Sequence, residues 1–176
     1  MSRYRAYAGA LALLAVLLAA IGAGEWFRPR LQLLFGTREE VVLYFASPDA
    51  KRLVPQRRRV PRWRAHPRGA LLELFAGPAA GSPLIATLPP DQRLLDFSLQ
   101  GSVAVVDLGG ELRTAAAAGT TGEALAVFSI VYTLTEWPQI RAVRILIDGE
   151  PVATLAGHLD LSMPLARADG HVAGIE

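Results

Sequence analysis

The chain has 176 residues, a length typical of one domain, and 52% of them are apolar, which excludes a globally disordered chain. It contains no cysteine, which excludes disulfides, thiolate metal sites, a catalytic thiol and a lipid-modified cysteine. The net charge is only +2, but residues 1–68 carry +9 and residues 69–176 carry −7. This asymmetry indicates surfaces with different neighbours.

The first 24 residues predict a membrane segment. Residues 6–24 carry no charge, and as a helix these 19 residues would span about 28 Å, close to the roughly 30 Å hydrocarbon core of a bilayer. Trp26 and Phe27 follow, where interfacial aromatics are common. Two alternatives stay open. A retained signal anchor is favoured because the apolar run exceeds a usual signal-peptide core, but the small residues at 22–24 also suit a cleaved, secreted form.

Composition divides the chain into four segments. Residues 1–24 are predicted to be the signal anchor or transmembrane segment, and residues 25–40 a juxtamembrane linker. Residues 41–164 are predicted to form the folded domain, and residues 165–176 an irregular C-terminal tail.

The domain begins with extended segments. Val41–Ala46 is β-branched and aromatic, as strands are, and residues 53–60 predict a second strand that Pro55 places at a sheet edge. A short helix is predicted within residues 68–78, ended by its Gly-Pro pair. Residues 93–109 predict a hairpin with Gln100 and Gly101 at its tip.

A longer helix follows. Thr120 and Glu123 form a T-x-x-E capping box, so the helix is predicted to begin there and to end before Pro138. Its predicted apolar stripe comprises Ala124, Val127, Phe128, Val131 and Leu134, with Gly122, Ser129, Thr133 and Glu136 on the other side.

A final hairpin is predicted beyond Pro138. Val143, Ile145 and Ile147 alternate as in a strand, Asp148-Gly149 is a turn signal, and residues 151–157 return as the partner. The sequence therefore predicts an α+β fold. It would comprise a largely antiparallel sheet of about five or six strands with two helices packed on one face, plus one N-terminal transmembrane helix.

The segment "SIVYTLTEWPQIRAVRILIDG" (residues 129–149) resembles the signature of the GerMN domain, the GerM-type module of spore germination and sporulation. The segments "VVLYF", "LVPQRRRV", "ALLELFAGP" and "SVAVVDLG" agree with it in order, and the resemblance covers roughly Val41 to Pro164. The residues taken as its structural signature are Thr120, Glu123, Thr133, Leu134, Trp137, Pro138, Asp148 and Gly149.

The resemblance implies a bacterial, extracytoplasmic module behind a membrane anchor or lipidated N-terminus, tied to sporulation, germination or envelope assembly. The family fold is similar to small ring-building modules, which implies interaction rather than catalysis. This chain departs from many relatives in lacking a cysteine to lipidate and from some in carrying one copy.

The sequence contains residue types that occur in catalytic and metal-binding sites, but not at the spacings that such sites require. His66, His158 and His171 lie in no metal-binding motif, and no nucleophile elbow or phosphate loop occurs. Asp96 and Asp107 lie in the two strands of the predicted hairpin, where solvent-facing positions explain them better than acid–base work. We therefore predict no catalytic residues, metal ligands or cofactor.

Residues 51–68 form a basic segment without an acidic residue. It is either a charged sheet edge that resists unwanted pairing or a surface for an anionic wall polymer or lipid. Its cations are Lys51, Arg52, Arg57, Arg58, Arg59, Arg62, Arg64 and Arg68.

The predicted function is that of a non-catalytic, membrane-anchored interaction module outside the cytoplasm. Its expected partners are the membrane, through residues 6–24, and other envelope proteins, but not nucleic acid. The alternative is a module that binds an anionic polymer or lipid through residues 51–68.

Overall fold

The computed structural model describes residues 36–116 and 119–167. The predicted membrane segment lies outside the described residues, and within them no helix is long and apolar enough to cross a bilayer. The described chain falls into a small unit of residues 36–39 and 61–63 and a main unit containing the rest. In the small unit, the Arg62 backbone N–H donates to the Thr37 carbonyl at 3.0 Å.

The first two strands form a sheet of their own. Strands β1 (Arg38–Ala46) and β2 (Leu53–Pro61) pair with each other, and the short connection between them requires an antiparallel hairpin. The turn is closed by a 2.8 Å hydrogen bond from the Ser47 N–H to the Arg52 carbonyl. Both predicted strands are confirmed.

A 3-10 turn (Arg62–Arg64) leads into helix α1 (Pro67–Phe75), the predicted short helix. His66 caps its N-terminus, because the imidazole Nδ1 accepts a hydrogen bond from the Gly69 N–H at 3.2 Å. Proline at the first helical position suits the cap. Gly77 ends the helix region with a φ of +80°, a conformation that glycine adopts without steric cost.

The second sheet has five strands: β3 (Leu94–Gln100), β4 (Val103–Leu108), β5 (Ala142–Ile147), β6 (Glu150–Pro151) and β7 (Leu165–Ala166). Their order is β3-β4-β5-β6, with β7 also pairing with β5. The β3–β4 hairpin is confirmed, although its tip is at residues 101–102. The predicted final hairpin also forms, but its return strand β6 is only two residues long.

The predicted single sheet is wrong, because the chain forms two sheets, and β4 and β5 run parallel. Helices α2 (Leu112–Ala116) and α3 (Gly119–Leu134) lie between these two strands in sequence. Such a helical crossover is long enough to return the chain in the same direction, whereas the prediction of a largely antiparallel sheet assumed that hairpins link most of the strands.

The predicted amphipathic character of the long helix is also wrong. Ser129 and Thr133, placed on the outer side, are fully buried, and Ala124 and Phe128 in the predicted stripe are only half-buried. Helix α3 contacts α1, α2 and β5. Because neighbours surround it, it has no solvent face over most of its length, as expected for a helix that is apolar all round.

Candidate interaction surfaces

The eight cations of the basic segment do not share one role. Arg58 and Arg64 bind Glu73 of α1 at 3.3 and 2.6 Å. Arg57 pairs with Glu40 at 3.0 Å on the surface. Within the small unit, Arg62 pairs with Glu39 at 3.2 Å. The acidic partners that the segment lacks are thus supplied by β1 and α1.

Arg58 is a structural residue. Its side chain is only 17% exposed and donates to the carbonyls of Glu73 at 2.9 Å and Gly77 at 2.6 Å. The guanidinium also lies 5.8 Å from the centre of the Phe45 ring. These bonds satisfy carbonyl groups at the C-terminal end of α1, where a helix leaves acceptors without intrahelical partners.

Four cations remain available to a ligand. They are exposed and form no ion pair with another residue of the described chain: Lys51, Arg52, Arg59 and Arg68. The segment therefore combines arginines that have acidic partners within the fold with cations that are exposed to solvent.

The predicted capping box does not form, because α3 begins at Gly119 and Thr120 is an exposed residue within it. The Glu123 carboxylate is instead fully buried and accepts hydrogen bonds from three backbone N–H groups: Leu155 at 3.0 Å, Ala156 at 3.1 Å and His158 at 3.2 Å. Burial alone would raise its pKa, but these backbone donors outweigh burial, so the pKa lies below the ordinary 4.5.

Two further polar side chains of α3 contact other segments. The Thr133 hydroxyl accepts the Tyr44 backbone N–H of β1 at 3.1 Å. The Ser129 hydroxyl accepts from Thr87 at 2.8 Å and donates to the Ala126 carbonyl at 2.8 Å. The buried polar groups of α3 thus fix β1, the loop before β3 and the loop after β6 to one helix.

The remaining signature residues serve the end of α3 and the turn after β5. Leu134 is fully buried, Trp137 is half-buried against the core, and Pro138 is exposed. Asp148 and Gly149 both have positive φ, 53° and 83°, and form the turn. The Asp107 carboxylate accepts the Gly149 N–H at 2.9 Å. Asp107 therefore has a structural role in this turn, and Asp96 is its register partner on β3.

Sequence reasoning missed a cluster built on Arg167. Its guanidinium pairs with Glu136 at 2.7 Å, donates to the Tyr44 hydroxyl at 2.6 Å, and lies 4.9 Å from the Tyr132 ring centre. Burial, followed by the Glu136 carboxylate, raises the pKa of Tyr44 above 10.0. The sequence does not indicate this cluster, because Arg167 is a single arginine in a tail that is predicted to be irregular.

An apolar cleft of about 410 Å³ lies in the main unit, between the loop before β3 and helices α2 and α3. Its lining includes Ile85, Leu88, Pro90, Ala115 and Leu125. No group of acidic residues and histidines within the described residues is arranged to hold a metal ion.

Comparison with known proteins identifies a family with which this chain shares sequence and fold. Residues 42–153 match the family model "Germane: Sporulation and spore germination". A putative lipoprotein from Clostridium perfringens of known structure is 26% identical with a TM-score of 0.55; the match covers 74% of this chain and 88% of that chain. The search among curated proteins found no match.

Two structures of the Bacillus subtilis sporulation protein GerM share the fold. Its first GerMN domain has a TM-score of 0.61 at 22% identity, covering 73% of this chain and 98% of that chain. Its tandem GerMN domains give 0.62 at 19% identity, covering 76% of this chain and 47% of that longer chain. With the family model matching more than half of its residues, the chain belongs to the GerMN family of sporulation and spore germination domains.

Proposed function

We propose that this GerMN domain is a non-catalytic interaction module attached to the membrane through residues 6–24, acting outside the cytoplasm in sporulation, germination or envelope assembly. The family match over residues 42–153, close behind a charge-free apolar segment, carries this proposal. The similarity to a protein described as a putative lipoprotein supports a membrane location for the domain.

The roles of the polar side chains support interaction rather than catalysis. Glu123 is held by backbone donors, Glu73 by two arginines, and Thr133 by the backbone of β1. Groups engaged in this way stabilise the fold and are not presented to a substrate. The exposed features are instead the edge strand β3 of the five-stranded sheet, an apolar cleft and four cations, which are features of recognition surfaces.

Membrane topology is the first test. Protease added to intact spheroplasts should degrade the domain while a cytoplasmic control protein survives, because residues 41–176 are proposed to lie outside. Detergent should then make both proteins sensitive. Protection of the domain in intact spheroplasts would contradict the proposed location.

A second candidate function is binding of an anionic wall polymer or lipid headgroup. The observation that favours it is the exposure of Lys51, Arg52, Arg59 and Arg68 without ion-pair partners in the described chain. Exposed cations attract anionic surfaces, and salt screens this attraction.

Co-sedimentation with anionic liposomes and with purified cell wall, at low and high salt, tests this candidate. The double variant Arg59→Glu/Arg68→Glu should lose salt-sensitive binding. The double variant Arg113→Glu/Arg141→Glu is the matched control, since it changes the net charge equally at exposed positions elsewhere. Equal losses would indicate net charge alone, and no binding by the wild-type chain at low salt would exclude this candidate.

A further inference from the structure

Strand β3 is an open edge of the five-stranded sheet. At the opposite side of that sheet, β6 and β7 both pair with β5, although each is only two residues long. Strand β2 of the other sheet carries two prolines and three arginines, residues that disfavour pairing with another strand at a sheet edge. In contrast, β3 has the sequence LLDFSLQ, with a single charge, and no described residue other than those of β4 pairs with it.

The β3–β4 register shows which backbone groups face outward. Residues 101–102 form a two-residue turn, with Gly101 at a φ of +60°, so the flanking pair Gln100–Val103 exchanges hydrogen bonds. Bonded and non-bonded pairs then alternate along an antiparallel ladder. The N–H and C=O groups of Ser98 therefore point to β4. Those of Phe97 and Leu99 point in the opposite direction, outward from the open edge of the sheet.

The side chains divide the same strand into two faces. Phe97 and Leu99 lie opposite the buried Val106 and Ala104, but Leu99 remains 46% exposed. The other face carries only the polar side chains of Asp96, Ser98 and Gln100. A β-bulge between Leu94 and Asp96 interrupts the register, which leaves residues 96–100 as the regular segment.

We propose that β3 pairs with β3 of a second copy of this chain, antiparallel and centred on Ser98, so that two five-stranded sheets join into one. Phe97 then lies opposite Leu99 of the second copy, and the outward backbone groups of these residues form about four hydrogen bonds. The two exposed leucines become covered by phenylalanine and by each other. This apolar cluster supplies the association energy.

Charge and register favour the pairing centred on Ser98 over the pairing centred on Phe97. Asp96 lies opposite the Gln100 amide of the second copy, so the two aspartates are kept apart. A pairing centred on Phe97 would instead place the bulged Leu95 against Leu99 of the second copy, where the bulge disrupts a regular ladder.

This self-association adds to the proposed interaction role and does not depend on membrane attachment. A monomeric chain would refute the β3 pairing and leave contacts with other envelope proteins, and the topology experiment, unaffected. The two proposals therefore fail separately.

Cysteine cross-linking of the full chain in detergent micelles tests the pairing. The chain has no cysteine, so a single introduced thiol reports only on itself. Ser98 on the two-fold axis forms a non-hydrogen-bonded pair with a Cα separation of about 4.5 Å, within the disulfide range of about 4.4–6.8 Å. Mild oxidation of Ser98→Cys should give a covalent dimer as the main product.

Ser102→Cys is the matched control, because it lies exposed in the adjoining turn and outside the paired segment. It should remain largely monomeric. Equal cross-linking of the two variants would indicate random collision and would overturn the proposal, as would a Ser98→Cys chain that stays monomeric under oxidation.

A pair of charge substitutions provides an independent test in the Ser98→Cys background. Leu99→Lys places cations within the interface and should abolish the dimer. Leu95→Lys makes the same change at a leucine of similar exposure, 42% against 46%, but in the bulge outside the pairing, and should preserve it. Circular dichroism checks that both variants fold. Equal sensitivity of the dimer to the two substitutions would contradict the register.

Discussion

Glu123 shows how one residue can fit a sequence motif and serve another purpose. Its spacing from Thr120 matches a capping box, in which glutamate would bond to the start of its own helix. In the structure the carboxylate instead binds three backbone N–H groups of the loop after β6. A buried charge is tolerated here because backbone donors replace its hydration.

Glu123 should make the stability of the domain sensitive to acid. Its folded pKa is lowered, so the carboxylate stabilises the fold above the unfolded pKa, near 4.5, and this contribution is lost as the pH falls through the folded pKa. Glu123→Gln should cost on the order of 3 kcal/mol at pH 7, since an amide cannot accept from all three donors. Denaturant unfolding of the full chain between pH 7 and pH 3 measures this.

The difference in the free energy of unfolding between wild type and Glu123→Gln should become smaller as the pH falls. Glu150→Gln, at an exposed glutamate, is the control and should change stability little at either pH. A Glu123→Gln deficit that is constant with pH would show that the glutamate side chain contributes through its shape and not through its charge.

At the scale of elements, neighbouring arginines of strand β2 have different roles because their side chains alternate between the two faces of the strand. Arg57 and Arg59 are exposed, while Arg58 between them points to the end of α1. This follows from the period of two along a strand. A run of three identical residues therefore contains one that holds a helix in place and two that face solvent.

Arg58→Ala should destabilise the domain by about 2–4 kcal/mol, because it removes one of the two arginines that bind Glu73 and leaves two backbone carbonyls without their donor. Arg57→Ala is the matched control. Its pair with Glu40 lies on the surface, with the arginine side chain 76% exposed, so the expected change is within about 0.5 kcal/mol. The denaturant midpoints of the two variants provide the comparison. Equal effects of the two substitutions would contradict a structural role that is specific to Arg58.

Trp137 anchors the segment between α3 and β5. The side chain packs against the core but is only half-buried. Trp137→Ala should therefore cost about 2 kcal/mol, less than the roughly 3–5 kcal/mol of a fully buried aromatic residue.

Trp137→Phe is the control for this prediction and should retain most of the stability, because it keeps an aromatic ring at the site. Thermal melts of the two variants provide the comparison. An unchanged melting temperature for Trp137→Ala would indicate that the ring serves a partner and not the core.

At the scale of the whole molecule, the Arg167 cluster connects segments far apart in sequence. Tyr44 lies in β1, Tyr132 in α3, and Arg167 directly after β7. Arginine suits this position because its planar group stacks on aromatic rings while donating several hydrogen bonds. The short strand β7 is thereby held against β5 by more than its own two-residue pairing.

Loss of the Arg167 side chain should loosen β7 first. In Arg167→Ala, the amides of Leu165 and Ala166 should exchange with deuterium faster, while the β3–β4 hairpin should exchange as before. Arg167→Lys should show a similar effect, since lysine keeps the charge but not the planar fork. Arg141→Ala, at an exposed arginine, should leave the exchange at β7 unchanged. Unaltered exchange at β7 in Arg167→Ala would contradict its anchoring role.

The sequence alone determined features whose cause is local. The alternation in Val143–Ile147, the positive-φ turn at Asp148-Gly149, and the stop at Pro138 depend on residues close together in the chain, so each prediction is confirmed. The GerMN resemblance, which rests on the segment containing these residues, also agrees with the family match.

The tertiary structure alone decided which strands share a sheet, their direction, and the roles of polar residues. Nothing near β4 indicates that it pairs in parallel with β5, because that contact is made by a crossover through two helices. Likewise, Glu123, Arg58 and Arg167 have partners that lie 15 or more positions away in the chain. A periodic pattern reports which side of an element is buried, but the partner it is buried against depends on how distant segments pack.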